Sequence, residues 1–249
     1  MSQRTSTRLA VTAIFTALVT AATMVFSINV PQTRGFFNIG ETMVYTSAFL
    51  FGPFVGSFSG GVGSMLADIL LGYPHYAPAT LVIKACEGGV VGVLARKRLK
   101  SVSRIQWKAF TFAVGLIVGI LLGGIGSIYY SGSVDLYLGI PPPQNPTLAF
   151  FVPQILWYGL GVLVLFLITL MGFVFEPEFG WLVFTALVGG SIMVAGYFIY
   201  QQFFLGPLFN IYVIAPAEIP INISQMIVGL IVSIPIVRTV WRSFPSLKV

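Results

Sequence analysis

The residues able to do chemistry in this chain are few, and they stand in apolar surroundings. Glu41, Asp68, Lys84 and Glu87 are ionisable groups inside otherwise apolar runs; Asn38, Asn222, Gln225, Tyr197, Tyr200, Gln201, Gln154, Trp157 and Tyr158 add hydrogen-bonding groups. Lys84 and Glu87 are one helical turn apart, close enough to pair, and Asn222 and Gln225 repeat that spacing. Such groups can orient a polar solute or relay a proton. They can also be plain architecture: Lys84 and Glu87 as a buried ion pair, the amides as interhelical hydrogen bonds, and the aromatics as an interface belt. Other chemistry finds no support. There is no G-x-x-x-x-G-K-[ST] phosphate loop, no H-E-x-x-H and no G-x-S-x-G. The Gly60-Gly61-Val62-Gly63 run has no Lys after it. His75, the single histidine, sits in Gly72-Tyr73-Pro74-His75-Tyr76 without a Cys or carboxylate cluster, so no metal site is expected. The expectation is a protein that binds, with no enzyme activity and no cofactor of its own.

These residues must be positioned by membrane helices. Apolar types supply 57% of the 249 residues and charged types 8%, whereas a soluble domain has about a quarter of its residues charged. The net charge of +6 is no argument for nucleic acid, because the basic residues cluster in short segments between apolar runs. Cys86 is the single cysteine, which excludes an intrachain disulfide. The first apolar stretch is long enough to span and lacks a convincing cleavage site for a signal peptide.

A span needs about 20 apolar residues. About eight candidates follow: Leu9–Ile28, Gly40–Val55, Ser57–Leu71, Ala79–Ala95, Ala109–Tyr129, Leu148–Phe173, Trp181–Phe204 and Ile219–Val240. The second to fourth are short and rich in Gly and Pro, so broken or re-entrant forms are open to them. The expected fold is all-α, a single polytopic transmembrane bundle over residues 1–249. Arg4 and Arg8 precede the first span. Arg96, Lys97, Arg98, Lys100, Arg104 and Lys108 follow the fourth, and Arg238, Arg242 and Lys248 follow the eighth. With eight spans, all these lie on the cytoplasmic side and both termini are cytoplasmic. The Phe175-Glu176-Pro177-Glu178 loop is then inside as well. The Ser131–Thr147 loop, with Pro141, Pro142 and Pro143, is an outer turn or cap without assignable structure.

That orientation puts the polar groups in the outer third of the bilayer and leaves the cytoplasmic halves nearly featureless. A pocket open to the outside suits capture of a solute. Two small-residue stripes are also present: Ala10, Ala13, Ala17 and Ala21 on the first span, and Gly115, Gly119 and Gly123 on the fifth. Either can receive a partner helix or serve packing within the bundle; the alanine stripe reaches the cytoplasmic end and is the better partner surface.

Several segments resemble the substrate-binding (S) components of energy-coupling factor (ECF) vitamin transporters, of the riboflavin type. They are Asn38-Ile39-Gly40-Glu41, Phe51-Gly52-Pro53 with Gly56, Ala67-Asp68-Ile69-Leu70 with Gly72-Tyr73, Lys84-Ala85-Cys86-Glu87-Gly88, Gly196-Tyr197-Phe198, and Pro220-Ile221-Asn222-Ile223-Ser224-Gln225 with Gly229. Ala13, Ala17 and Ala21 look like the alanine motif by which S components dock on a membrane coupling subunit. The resemblance covers residues 9–95 and 181–240. It implies a six-helix fold, here with an inserted hairpin over 109–173. It further implies a plasma-membrane subunit that captures a water-soluble vitamin, riboflavin or a related one, using Asn38, Glu41, Lys84, Glu87, Tyr197, Asn222 and Gln225. The implied partners are the coupling subunit and two ATPases, so that ATP is used by partners and not by this chain. The rival expectation is a self-sufficient ion-coupled permease with Asp68, Lys84 and Glu87 as a proton relay.

Overall fold

A computed structural model describes residues 2–30, 33–97, 103–138, 145–174 and 177–245. Pro141 to Pro143, Glu176, Arg98, Lys100 and Lys248, which entered the topology argument, lie outside the described residues. The helices are α1 (Ser2–Val25), α2 (Glu41–Phe51), α3 (Pro53–Leu70), α4 (Ala77–Ala95), α5 (Arg104–Tyr129), α6 (Gln154–Val174), α7 (Pro177–Tyr200), the single turn α8 (Gly206–Phe209) and α9 (Ala215–Ser243). A π-helical turn, Gln201–Leu205, carries α7 into α8. Six of these stretches are long and apolar enough to cross a membrane: α1, α4, α5, α6, α7 through α8, and α9. The protein is a polytopic helical membrane bundle.

The second expected span needs correction. With 11 residues, α2 is only ~16 Å long at 1.5 Å per residue, about half a bilayer core. It tolerates that length because nearly every residue from Glu41 to Leu50 is buried in protein. The chain reverses at Gly52, whose φ of 82° suits glycine, and Pro53 starts α3 with φ already set. Arg96 Nη2 donates to Phe51 O at 2.8 Å, so this reversal lies at the same end of the bundle as the end of α4. Arg8 lies over the Phe54 ring there, 3.9 Å from its centroid. This is the basic end.

Close packing of α3 on α4 depends on missing side chains. A Cβ on Gly56 would stand 2.7 Å from both Ala48 Cβ and Gly88 O, and one on Gly61 would stand 2.7 Å from Leu81 O. The Gly60-Gly61 run is therefore a helix-packing surface, in keeping with the absence of a phosphate-loop lysine. On α1 the inward face is Thr12, Val19 and Thr23, all buried, and Thr20 Oγ1 donates to Gly63 O at 2.9 Å. Ala10, Ala13, Ala17 and Ala21 point away and are exposed.

The glycine stripe of α5 has the opposite fate. A Cβ on Gly119 would meet Gly161 O at 2.6 Å, and one on Gly115 would meet Leu165 O at 3.0 Å. It is thus the internal seam between α5 and α6. This hairpin is fastened at its far end by Trp157 Nε1 donating to Tyr130 O (3.0 Å) and Tyr130 Oη donating to Ala217 O (2.7 Å).

A small sheet, absent from the sequence expectation, closes that far end. Its strands are β1 (Ser27–Val30), β2 (Gly35–Asn38), β3 (Gly132–Leu138) and β4 (Leu148–Val152), in the order β2-β1-β3-β4 and antiparallel throughout. Ile28 pairs with Leu138 and Asn29 with Tyr137, which joins the α1–α2 connection to the hairpin. The first helix accordingly stops at Val25 rather than Ile28, and the sixth starts at Gln154 rather than Leu148. Leu148-Ala149-Phe150-Phe151-Val152 is an apolar run long enough for a strand and adjoins a helix, so periodicity alone cannot separate the two.

Candidate binding site

Beneath the sheet end, the starts of α4 and α9 and the ends of α3 and α7 surround a cavity. Thr23, Gly35, Phe36, Asn38, Ser64, Asp68, Tyr76, Thr80, Lys84, Tyr197, Glu218, Asn222 and Gln225 line it. Its volume is about 40 Å³. The cavity is contracted around its polar groups, and a vitamin-sized solute would have to part them.

The seven residues expected to form the site do converge. Asn38 Nδ2 donates to Gln225 Oε1 at 2.5 Å, and Gln225 Nε2 donates to Asn222 Oδ1 at 2.9 Å. Asn38 also fixes the entry to α2, because its Oδ1 accepts from Gly40 N at 2.9 Å. The amide spacing on α9 thus serves both alternatives: it ties α9 to β2 and exposes one free donor, since the buried Asn222 Nδ2 has no hydrogen-bond partner. Tyr197 Oη shares a 2.9 Å hydrogen bond with Thr80 Oγ1.

Lys84 forms the floor. Its ammonium pairs with Glu41 and, at 3.2 Å, with Glu87 Oε2; Met193 Sδ lies 2.7 Å away and the Tyr197 ring centroid 5.8 Å away. Glu87 Oε1 accepts from Tyr45 Oη at 3.0 Å. Glu41 and Glu87 do not line the cavity; they hold the lysine from behind. The pair read from the i,i+3 spacing is therefore one side of a triad, with the third member supplied by the start of α2. Removing one member of a buried charge cluster leaves the others uncompensated, so this cluster fixes α2 against α4 whatever it binds.

Depth can be read along the helices. Lys84 sits ~10 Å along α4 and Asn222 ~10 Å along α9 from the sheet end, at 1.5 Å per residue. The polar groups thus form a shaft about one third of a ~30 Å bilayer core deep, measured from the sheet end. Rim and floor differ because α2 begins deep: Glu41 is its first residue.

The sequence reading missed Glu218. It lies in the first turn of α9, is 5% exposed, and carries an Oε2 without a partner. Its signal was present, an acid between Pro216 and Pro220 beside a long apolar run, but the span was begun one residue too late. Asp68, noted as ionisable but not assigned to the pocket, also lines the wall, and its Oδ2 has no partner. Tyr76 and Gln201 brace the rim: Gln201 Nε2 donates to Tyr76 Oη (2.8 Å), which donates to Thr33 O (2.7 Å). Burial raises the Tyr76 phenol well above its ordinary value, so it acts as a neutral hydrogen-bonding group. His75 makes tilted and edge-on ring contacts with Tyr73, Tyr76 and Phe209 and does not line the cavity. Burial lowers its pKa, which keeps the imidazole neutral at pH 7. No trio of His, Cys, Asp and Glu suited to a metal occurs among the described residues.

Comparison with known proteins adds three similarities. A family model described as "ECF-type riboflavin transporter, S component" matches residues 3–174, a range that takes in α5 and α6. An uncharacterized protein in a gap 3' region of Pyrococcus woesei is 41% identical over 121 residues, 48% of this chain and 73% of that protein. The thiamine precursor transporter HmpT of Lactococcus lactis subsp. cremoris (strain MG1363) is 25% identical over 143 residues, 56% of this chain and 81% of that protein.

Proposed function

The chain belongs to the family of ECF-type riboflavin transporter S components, a family of transporter subunits and not of enzymes, and from that premise we propose that its cavity captures riboflavin or a related water-soluble vitamin. The observation that carries this reading is the set of buried, unpartnered polar atoms on residues that line the cavity: Asp68 Oδ2, Glu218 Oε2 and Asn222 Nδ2. Buried polar atoms without partners are strongly disfavoured, and a polar solute would satisfy all three. Phe36, Tyr76 and Tyr197 add aromatic rings to the lining. Asn38 and Gln225 shape the wall, while Glu41 and Glu87 present Lys84.

The sheet end is read as the outer face of the plasma membrane. Arg8, Arg96, Lys97, Arg104, Lys108, Arg238 and Arg242 gather at or near the other end, which suits the cytoplasm. Both helix termini, the start of α1 and the end of α9, would then be cytoplasmic. The exposed Ala13, Ala17 and Ala21 on α1 offer a shallow surface for a transmembrane coupling subunit. That subunit and two ATPases would supply the energy, and ATP would be consumed there. The hairpin over 109–173 is read as an addition to the binding fold, since it meets the rest chiefly through α5 and the sheet.

The test is binding by the purified chain followed by uptake. Stabilisation on heating by one member of a panel of water-soluble vitamins is the expected result, with uptake only in cells that also make the coupling module. A protein stabilised by no vitamin would overturn the capture reading. Uptake by this chain alone, collapsed by an uncoupler, would favour the ion-coupled permease.

A further inference from the structure

Charge is out of balance in the cavity. Four of the chain's seven acidic residues, Glu41, Asp68, Glu87 and Glu218, are buried in or directly behind it, each 5% exposed or less. Lys84 is the one basic residue on its described lining, and Glu41 and Glu87 already engage it. Asp68 and Glu218 are left facing the space without a cation. Their free oxygens, Asp68 Oδ2 and Glu218 Oε2, can only receive hydrogen bonds or positive charge when ionised. Each carboxylate is supported by neutral donors only, Asp68 by Thr80 and Glu218 by Thr33 and Gln201, and a buried carboxylate without a positive partner is unfavourable, so the cavity is incomplete as it stands. The aromatic lining of Phe36, Tyr76 and Tyr197 suits a cation as well, and the Tyr197 ring already lies 5.8 Å from the Lys84 ammonium. Asn222 Nδ2 is the exception, a donor that asks for one acceptor.

Resting on the capture reading above, we propose that the cavity selects a flat nitrogen heterocycle carrying positive charge, whose N–H or cationic edge meets Asp68 and Glu218 and whose acceptor meets Asn222. An anionic solute would face Asp68 and Glu218 with no free cation to receive it, since Lys84 is already shared by two carboxylates. A neutral solute would satisfy the donor and stack on the rings, yet leave the acids uncompensated.

The experiment titrates the purified full chain with three flat probes of different charge: thiamine as the cation, riboflavin as the neutral ring and flavin mononucleotide as the anion. The expected order is thiamine, then riboflavin, with flavin mononucleotide weakest. Glu218→Gln and Asp68→Asn keep shape and remove charge, and each should weaken thiamine by ~10-fold or more, as for loss of a hydrogen bond to a charged group. Neither should lower the melting temperature of the empty protein, because each removes an uncompensated acid. If riboflavin or flavin mononucleotide binds as tightly as thiamine, or if both variants keep wild-type thiamine affinity, the charge selection is wrong while capture stands. If none of the three binds, the charge selection falls, and capture falls with it only if the full vitamin panel also fails to stabilise the protein.

Discussion

Two parts of this bundle use the same packing device for different purposes. In α3 and α4, glycines at Gly56, Gly61 and Gly88 bring backbones together, and the result is a rigid frame for Lys84, Asp68 and Thr80. In α5 and α6, Gly115, Gly119 and Gly161 do likewise, yet the buried polar side chains of that hairpin are only Thr111 and Ser127 among the described residues. Close helix approach therefore does not mark a site. What distinguishes the first region is that its seam carries charged groups buried behind a cavity, whereas the hairpin's seam is self-contained.

Substitutions should separate the two regions sharply. The largest effect is expected for Lys84→Met, which strands Glu41 and Glu87 and should destabilise the protein by ~3–5 kcal/mol; a melting curve in detergent that matches wild type would contradict the triad as a structural element. Gly119→Leu should cost ~1–3 kcal/mol by overpacking the hairpin seam and spare ligand affinity. If affinity falls along with stability, the hairpin shapes the cavity more than the contacts here indicate. Asn222→Ala should weaken ligand binding by ~1–3 kcal/mol with less change in melting temperature, and calorimetric titration would reveal the reverse pattern if the amide is only helix glue. Smallest in stability is Ala17→Trp: on an exposed face it should leave melting and binding within ~0.5 kcal/mol of wild type but abolish uptake in the assembled complex. Loss of binding as well would turn the alanine stripe into internal packing.

The contrast also explains what could be read from sequence. Ionisable residues in apolar runs are so disfavoured that each one carried information, and Asn38, Glu41, Lys84, Glu87, Tyr197, Asn222 and Gln225 proved to be neighbours. Their division of labour was not legible. Spacing joined Lys84 to Glu87, but the pairing with Glu41 depends on where a half-length helix begins, which is set by tertiary cover. Glu218 was lost to a boundary drawn at Ile219, where the apolar run resumes after the acid. The sheet was invisible for another reason: β1 and β2 are four residues each, too short for a period of two to declare itself, and β4 merged with the apolar start of α6. The exposure of Ala13, Ala17 and Ala21 and the burial of the α5 glycines came from packing alone, since the two stripes have equivalent spacing.

The central claim is that the polar shaft beneath the sheet is where a vitamin is held. Mass spectrometry of the small molecules released from purified protein, compared with Asn222→Ala prepared in parallel, tests it most directly. The account predicts one vitamin in stoichiometric amount from the wild type and a marked loss from the variant. Equal occupancy in both, or a wild-type protein that releases no vitamin and takes none up when supplied, would contradict it.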